Sequence, residues 1–238
     1  MKNIRHLILT ALILALSSSF NIALAATFTV TTTANDGAGS LRQAIEDANA
    51  SDGVDIIEFN IGGVGPHTIA LTTRLPDISE GVTMDGGGEI IIQVGRPILR
   101  LRNAHGSTIT GLDLSSPNTC TWGDYIGMDV INSSNLILDG IDVNNKGYGI
   151  HITDGENVTV KNCDFTNSGC SNVGDALRIN GTQMFKGFGN IWTDHRAIRL
   201  DNLTDFLVTD AMPAAGINHY LVLEPTSGAG DTQSATMY

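Results

Sequence analysis

Basic side chains are scarce in this chain: 13 Lys and Arg stand against 25 Asp and Glu in 238 residues, a formal net charge of −12. Nucleic acid is not expected as a partner, because binding it normally requires a basic face. An anionic polysaccharide is repelled overall too, unless the few cations are gathered in one place, so the position of each arginine is informative. Helical periodicity is missing beyond residue 81, and no gap there is long enough for a crossover helix. No segment after the first 25 residues approaches a transmembrane helix. No His or Cys pair has zinc-ligand spacing. Cysteines number three. Cys163 alternates with polar residues and reads as a buried thiol, whereas Cys120 and Cys170 lie in loop-like stretches that leave room for one bridge between them.

What is present begins with a leader. Met1 to Ala25 has a basic start (Lys2, Arg5), an apolar run from Leu7 to Leu16 and the small-residue site Ala23-Leu24-Ala25, the pattern of a secretory signal cleaved before Ala26. Ser17, Ser18, Ser19 and Asn21 break the apolar stretch well short of a bilayer span. The expected location is therefore outside the cytoplasm, extracellular or at the cell surface, with the periplasm as the other export compartment.

From residue 81 the chain repeats. One recurring piece is a short alternation ending in a turn, "STITGLDLSS" (107–116), "NLILDGIDVNN" (135–145) and "NVTVKNCDFTN" (157–167), with Gly111, Gly140 and Asn162 equivalent. The second is "ILRL" (98–101), "GMDV" (127–130), "GIHI" (149–152), "ALRI" (176–179) and "AIRL" (197–200), with a weaker sixth copy at "YLVL" (220–223). Its central polar residues, Arg100, Asp129, His151, Arg178 and Arg199, are separated by 29, 22, 27 and 21 residues. Two short period-2 strands per repeat, divided by Gly, Asn and Asp turns, make one coil of a parallel β-helix, whose equivalent strands stack about 4.8 Å apart. Leucine-rich repeats share the period but not the consensus. Asn132, Asp154, Asn180 and Asn202 follow the second strand of successive coils and are expected to form a ladder, which makes the sequons at Asn132, Asn157, Asn180 and Asn202 by-products of turns. The segment 183–192 reads as irregular, and the repeat fades after Leu223.

A stack of coils needs a cover for its open end. "TFTVTTTANDGAGSLRQAIEDANAS" (27–51) offers a Thr/Val strand, Ser40 as helix N-cap with Gln43 three residues on, and a helix with Leu41, Ala44, Ile45 and Ala48 on one face. Gly39-Ser40-Leu41-Arg42-Gln43-Ala44, with the preceding Thr-Val run and the later "DIIEF", resembles the N-terminal cap of secreted bacterial right-handed parallel β-helix proteins, the family named after a Cys-Ser-Leu-Arg-Glu-Ala signature. Gly39 and Gln43 depart from that signature, and the likeness covers residues 27–90. It implies an all-β, right-handed parallel β-helix of about six to eight coils with a strand-helix cap, within the pectin-lyase-like superfamily; it implies no particular chemistry. The expected division is a signal at 1–25, the cap and first coils at 26–80, coils at 81–223 and a tail at 224–238.

If the apolar members of the second strand point inward, Arg100, Asp129, His151, Arg178 and Arg199 form one outward column. Asp124, Tyr125, Tyr148, Asp175, His195, Arg196, His219 and Tyr220 lie just upstream, at the sheet edge. Usual glycoside hydrolysis needs two opposed carboxyl groups, and Asp129 has no acidic partner in its column. The Asp-Asp and Gly-His-Gly elements of a polygalacturonase-like site are missing, "GYGIH" (147–151) being the nearest approach. β-Elimination from a uronate needs a base and a cation for the sugar carboxylate: His151 or Tyr148 could be the base, Arg178 and Arg199 the neutralisers, with Arg100, Asp129, Asp175, His195 and Arg196 contacting substrate. The same residues also fit a solvated face whose charges offset one another, or a non-catalytic structural or adhesive surface against a protein or the cell envelope. Asp113, Asp142 and Asp164 form a second, acidic column that calcium could use, or that simply splays into water.

Overall fold

The computed structural model describes residues 24–93, 99–115, 126–168, 174–192, 198–203 and 205–209, and the backbone of 221–224. The chain opens with β1 (Thr27–Val30), α1 (Leu41–Asn49), β2 (Asp55–Phe59), β3 (His67–Ala70) and β4 (Val82–Gln93). Short strands then alternate: β5 (Leu99–Arg102), β6 (Thr108–Asp113), β7 (Met128–Ile131), β8 (Ser134–Asp139), β9 (Ile150–Thr153) and β10 (Glu156–Lys161). The series ends with β11 (Leu177–Asn180), β12 (Gln183–Phe188), β13 (Ile198–Asp201), β14 (Phe206–Val208) and β15 (Leu221–Glu224).

Every strand pairing is parallel, and apart from β3 with β4 the pairs skip one element along the chain. A first sheet runs β1-β2-β4-β6-β8-β10-β12-β14, with β3 also on β4; a second runs β15-β13-β11-β9-β7-β5. A third side is marked by the single bridges Asp113–Asp142, Asp142–Asp164 and Asp164–Ile191. This is a parallel β-helix whose three sides enclose one apolar interior.

Period-2 alternation fixes which residues enter that interior. Leu99 and Leu101, Met128 and Val130, Ile150 and Ile152, Leu177 and Ile179, and Ile198 and Leu200 from the second sheet are all buried. They meet Ile109, Leu136, Leu138, Val158, Val160 and Phe185 of the first sheet and Leu114, Val143, Phe165 and Trp192 of the third side. Phe165 and Trp192 stack with centroids 4.5 Å apart and planes 3° from parallel, two aromatics on successive rungs. Cys163 is buried as the alternation requires, and burial pushes its thiol up to about 12.

The corners need left-handed backbone, which Asn and Asp tolerate better than other non-glycine residues. Asn103, Asn132, Asp154, Gly181 and Asn202 all have φ between 48° and 62°. Side-chain amides link the rungs: Asn132 donates to Asn103 (2.6 Å), Asn157 to Asn135 (2.9 Å), Asn167 to Asn145 (2.6 Å) and Asn202 to Asn180 (2.9 Å). The expected ladder needs two corrections: among the described residues no side-chain bond carries it through Asp154, and Asn180 is the last residue of β11, with Gly181 at the corner. Gly has no Cβ to resist that φ, so the side chain one residue earlier does the linking. All four sequon asparagines are accounted for by these contacts.

The segment 183–192 is not irregular. β12 pairs with β10 in continuous register, Val158 opposite Phe185 and Val160 opposite Gly187. The sequence obscures it because Met184, at φ 52°, holds the corner that Asn135 and Asn157 hold in the preceding coils.

At the other end α1 begins at Ser40, whose hydroxyl accepts from the Gln43 amide at 3.2 Å, and buries Leu41, Ala44, Ile45 and Ala48. It packs against β1 and β2, the first two strands of the first sheet. Among the described residues no helix is long and apolar enough to cross a membrane.

Candidate functional site

The second sheet sets its polar column in strict register. Arg100 pairs with Asp129, Asp129 with His151, His151 with Arg178, Arg178 with Arg199 and Arg199 with Val222. Each of the five polar residues is half-buried, since neighbours on adjacent rungs cover much of each side chain. The bridge between Ile78 and Leu101 extends the column one rung earlier and brings in Asp77, which sequence reasoning missed. "RLPDISEG" shows no second repeated strand, and only the bridge reveals that Asp77 stands beside Arg100.

The charges group into two clusters. In the first, Asp77 lies 3.4 Å from Arg74, 4.0 Å from Arg100 and 3.5 Å from Arg102, and Arg100 Nε lies 3.0 Å from Asp129. That last contact is an ion pair by distance; the Nε–H is not aimed for a hydrogen bond. In the second, Arg199 Nε donates to both Asp201 oxygens (3.1 and 2.9 Å), and Arg178 Nη2 reaches the same carboxylate at 3.3 Å. Asp201 is only 5% exposed, while the Arg178 side chain is 38% exposed. Two guanidinium groups thus share one nearly buried carboxylate, and one of them faces water. Five of the six described arginines, Arg74, Arg100, Arg102, Arg178 and Arg199, belong to these two clusters.

His151 lies between the clusters. Its ring meets Tyr148 edge-on with centroids 4.9 Å apart. Burial, reinforced by the Arg178 charge, pushes its pKa down to about 4, so it is a neutral imidazole at pH 7. Its Nε2 is buried without a hydrogen-bond partner among the described residues. Asp129 and His151 are register neighbours but form no ion pair; the carboxylate turns to Arg100. Asp175 is 2% exposed, and its carbonyl accepts from the Gly149 amide at 3.2 Å, so it sits beside the Tyr148 rung at the sheet edge. His195, Arg196, Asp124, Tyr125, His219 and Tyr220 lie outside the described residues, as do Cys120 and Cys170.

The acidic column is also in register, Asp113 to Asp142 to Asp164. Its carboxylates do not converge on one point. Asp113 accepts from the Ser115 amide (2.8 Å), and Asp164 from the amide and hydroxyl of Thr166 (2.8 and 2.6 Å), each turned back on its own chain. Burial, then the Asp113 and Asp164 charges, raise the pKa of Asp142. Among the described residues no group of three His, Cys, Asp or Glu side chains could hold a metal ion.

A coil of two parallel sheets and a bridged third side, with charged clusters on the outward face of one sheet, defines a parallel β-helix protein. The chain matches the family model of the right-handed β-helix region over residues 80–205 and belongs to that family. No curated protein matches it.

Proposed function

We propose that the protein is secreted or surface-associated and binds acidic polysaccharide along the outward face of its second sheet, with residues 27–51 as the cap that the secreted β-helix proteins share. The observation that supports this most is Arg178. In a chain of net charge −12, its side chain is 38% exposed, in register between His151 and Arg199, and shares Asp201 with Arg199. A sugar carboxylate can take a charge-assisted hydrogen bond from such a group, while the half-buried Tyr148 ring, edge-on to His151, offers ring surface on the preceding rung. Binding fits better than elimination. A base works best with a pKa near the working pH, and a histidine held at about 4 is a poor acceptor for a proton on carbon.

The test is equilibrium binding to polygalacturonate and alginate, with a neutral glucan of similar length as comparison. Saturable binding of the acidic polymers that weakens with salt is expected. Equal binding of the glucan, or of none of the three, sinks the proposal, and release of unsaturated uronides would replace it with a lyase activity.

A second reading, a structural or adhesive module, draws on the other sheet. Met184, Phe188, Ile191 and Leu207 on its late rungs and the adjoining side are 40% to 54% exposed. Apolar side chains gathered in this way favour contact with a protein surface. Envelope binding that survives loss of Arg178 but not Phe188→Ser would favour that reading.

A further inference from the structure

We propose that removal of the leader creates an amino terminus at Ala26 whose ammonium completes the bonding of buried Asp55, so that processing locks the first rung of the helix. Asp55 opens β2 and is fully buried. One of its oxygens, Oδ1, accepts from the Ala26 amide at 2.7 Å. The other, Oδ2, is buried with no hydrogen-bond partner among the described residues. A buried carboxylate that meets only one neutral amide is costly, because neither its charge nor its second oxygen is compensated. An ammonium at the same nitrogen would bring a positive charge and three N–H donors where the amide has one.

Ala26 is already held in place for this role. Its carbonyl accepts from the Ile56 amide at 2.8 Å, and β1 continues from Thr27 opposite Ile56, so the nitrogen stays at Asp55 after the chain is cut. The bond itself is reachable: Ala25 is exposed and Leu24 is 80% exposed. Ala23-Leu24-Ala25 is the small-residue pattern a leader peptidase takes. Hydrolysis adds one water: the Ala25 acyl carbon gains the hydroxyl and ends as a carboxylate, and the Ala26 nitrogen leaves as an amine that is protonated at pH 7, its ordinary pKa being about 8. β1 is the terminal strand of the first sheet and carries α1 on it, so this contact steadies the end where the coil would otherwise fray.

Three chains that all end at Tyr238 test it: one beginning at Ala26 with a free amine, one beginning at Ala26 with an acetylated amine, and one beginning at Ala25. At pH 7 the free-amine Ala26 chain is expected to melt about 3–8 °C above the other two, and Asp55→Asn is expected to abolish the gap. Equal melting of the three chains overturns the inference, as does a gap that persists in Asp55→Asn. Should Asp55→Asn fail to fold, free against acetylated Ala26 decides alone, since the two differ only in the ammonium. Intact mass of the exported protein gives a separate check: a first residue other than Ala26 also overturns it.

Discussion

On the first sheet one outward column reads Thr83, Thr108, Ile137, Thr159, Lys186 and Leu207. On the second it reads Asp77, Arg100, Asp129, His151, Arg178 and Arg199. Both belong to the same coils, stack with the same spacing and back onto the same buried residues. Among the described residues the first sheet has one ion pair between neighbouring rungs, Lys161 with Asp139 at 3.1 Å; the second carries two multi-residue clusters around Asp77 and Asp201. Inward positions build the fold without favouring either sheet, so whatever distinguishes the sheets functionally lies in the outward residues.

The interior offers the severest way to break this comparison. Leu138 on the first sheet and Leu177 on the second are both completely buried, so Leu138→Ala and Leu177→Ala should each cost about 2–5 kcal/mol in denaturant unfolding. Costs that differ by more than the size of one such loss would mean that the sheets do not share a core equally.

Acid separates the sheets next. His151 is held at about 4 in the folded chain, against about 6.5 unfolded. Between those values the unfolded chain binds the extra proton, so stability falls as pH drops from about 6.5 to 4 and loses nothing further from this group below that. The loss is on the order of 3 kcal/mol. His151→Gln should flatten melting temperature across this window, whereas Lys161→Gln on the first sheet should leave the slope intact.

The carboxylates come third. Asp201 is nearly buried under two arginines, and Asp201→Asn should cost about 1–3 kcal/mol. At Asp139 burial opposes the charge, but bonds from Asn162 and Lys161 outweigh it and lower the pKa. That pair is about a third exposed, so Asp139→Asn should cost only about 0.5–1 kcal/mol. Comparable losses by urea titration would remove the contrast.

Much of this contrast was legible in the sequence, for a physical reason. A strand shows alternate residues to opposite faces, so Arg100, Asp129, His151, Arg178 and Arg199 could be aligned from spacing and turns alone. Three things could not. Asp77 joins the column through a single bridge rather than a repeated strand. The coil at 183–192 places Met184 where a turn residue is expected, and so breaks the pattern without breaking the structure. Asp129 turns to Arg100 rather than to His151, a choice between two neighbours in the same column that no one-dimensional pattern encodes.

The most direct measurement places the same charge reversal on each sheet. Arg178→Glu and Lys186→Glu both remove one positive charge and add one negative, the first at a half-buried position of the second sheet and the second at an exposed position of the first. Affinity for oligogalacturonate is measured by calorimetry at one ionic strength. Arg178→Glu should weaken binding at least tenfold, about 1.4 kcal/mol, with Lys186→Glu within about twofold of the unmodified protein. Equal losses from both would show that net charge alone governs binding, and an unaffected Arg178→Glu would contradict the assignment of the second sheet as the contact face.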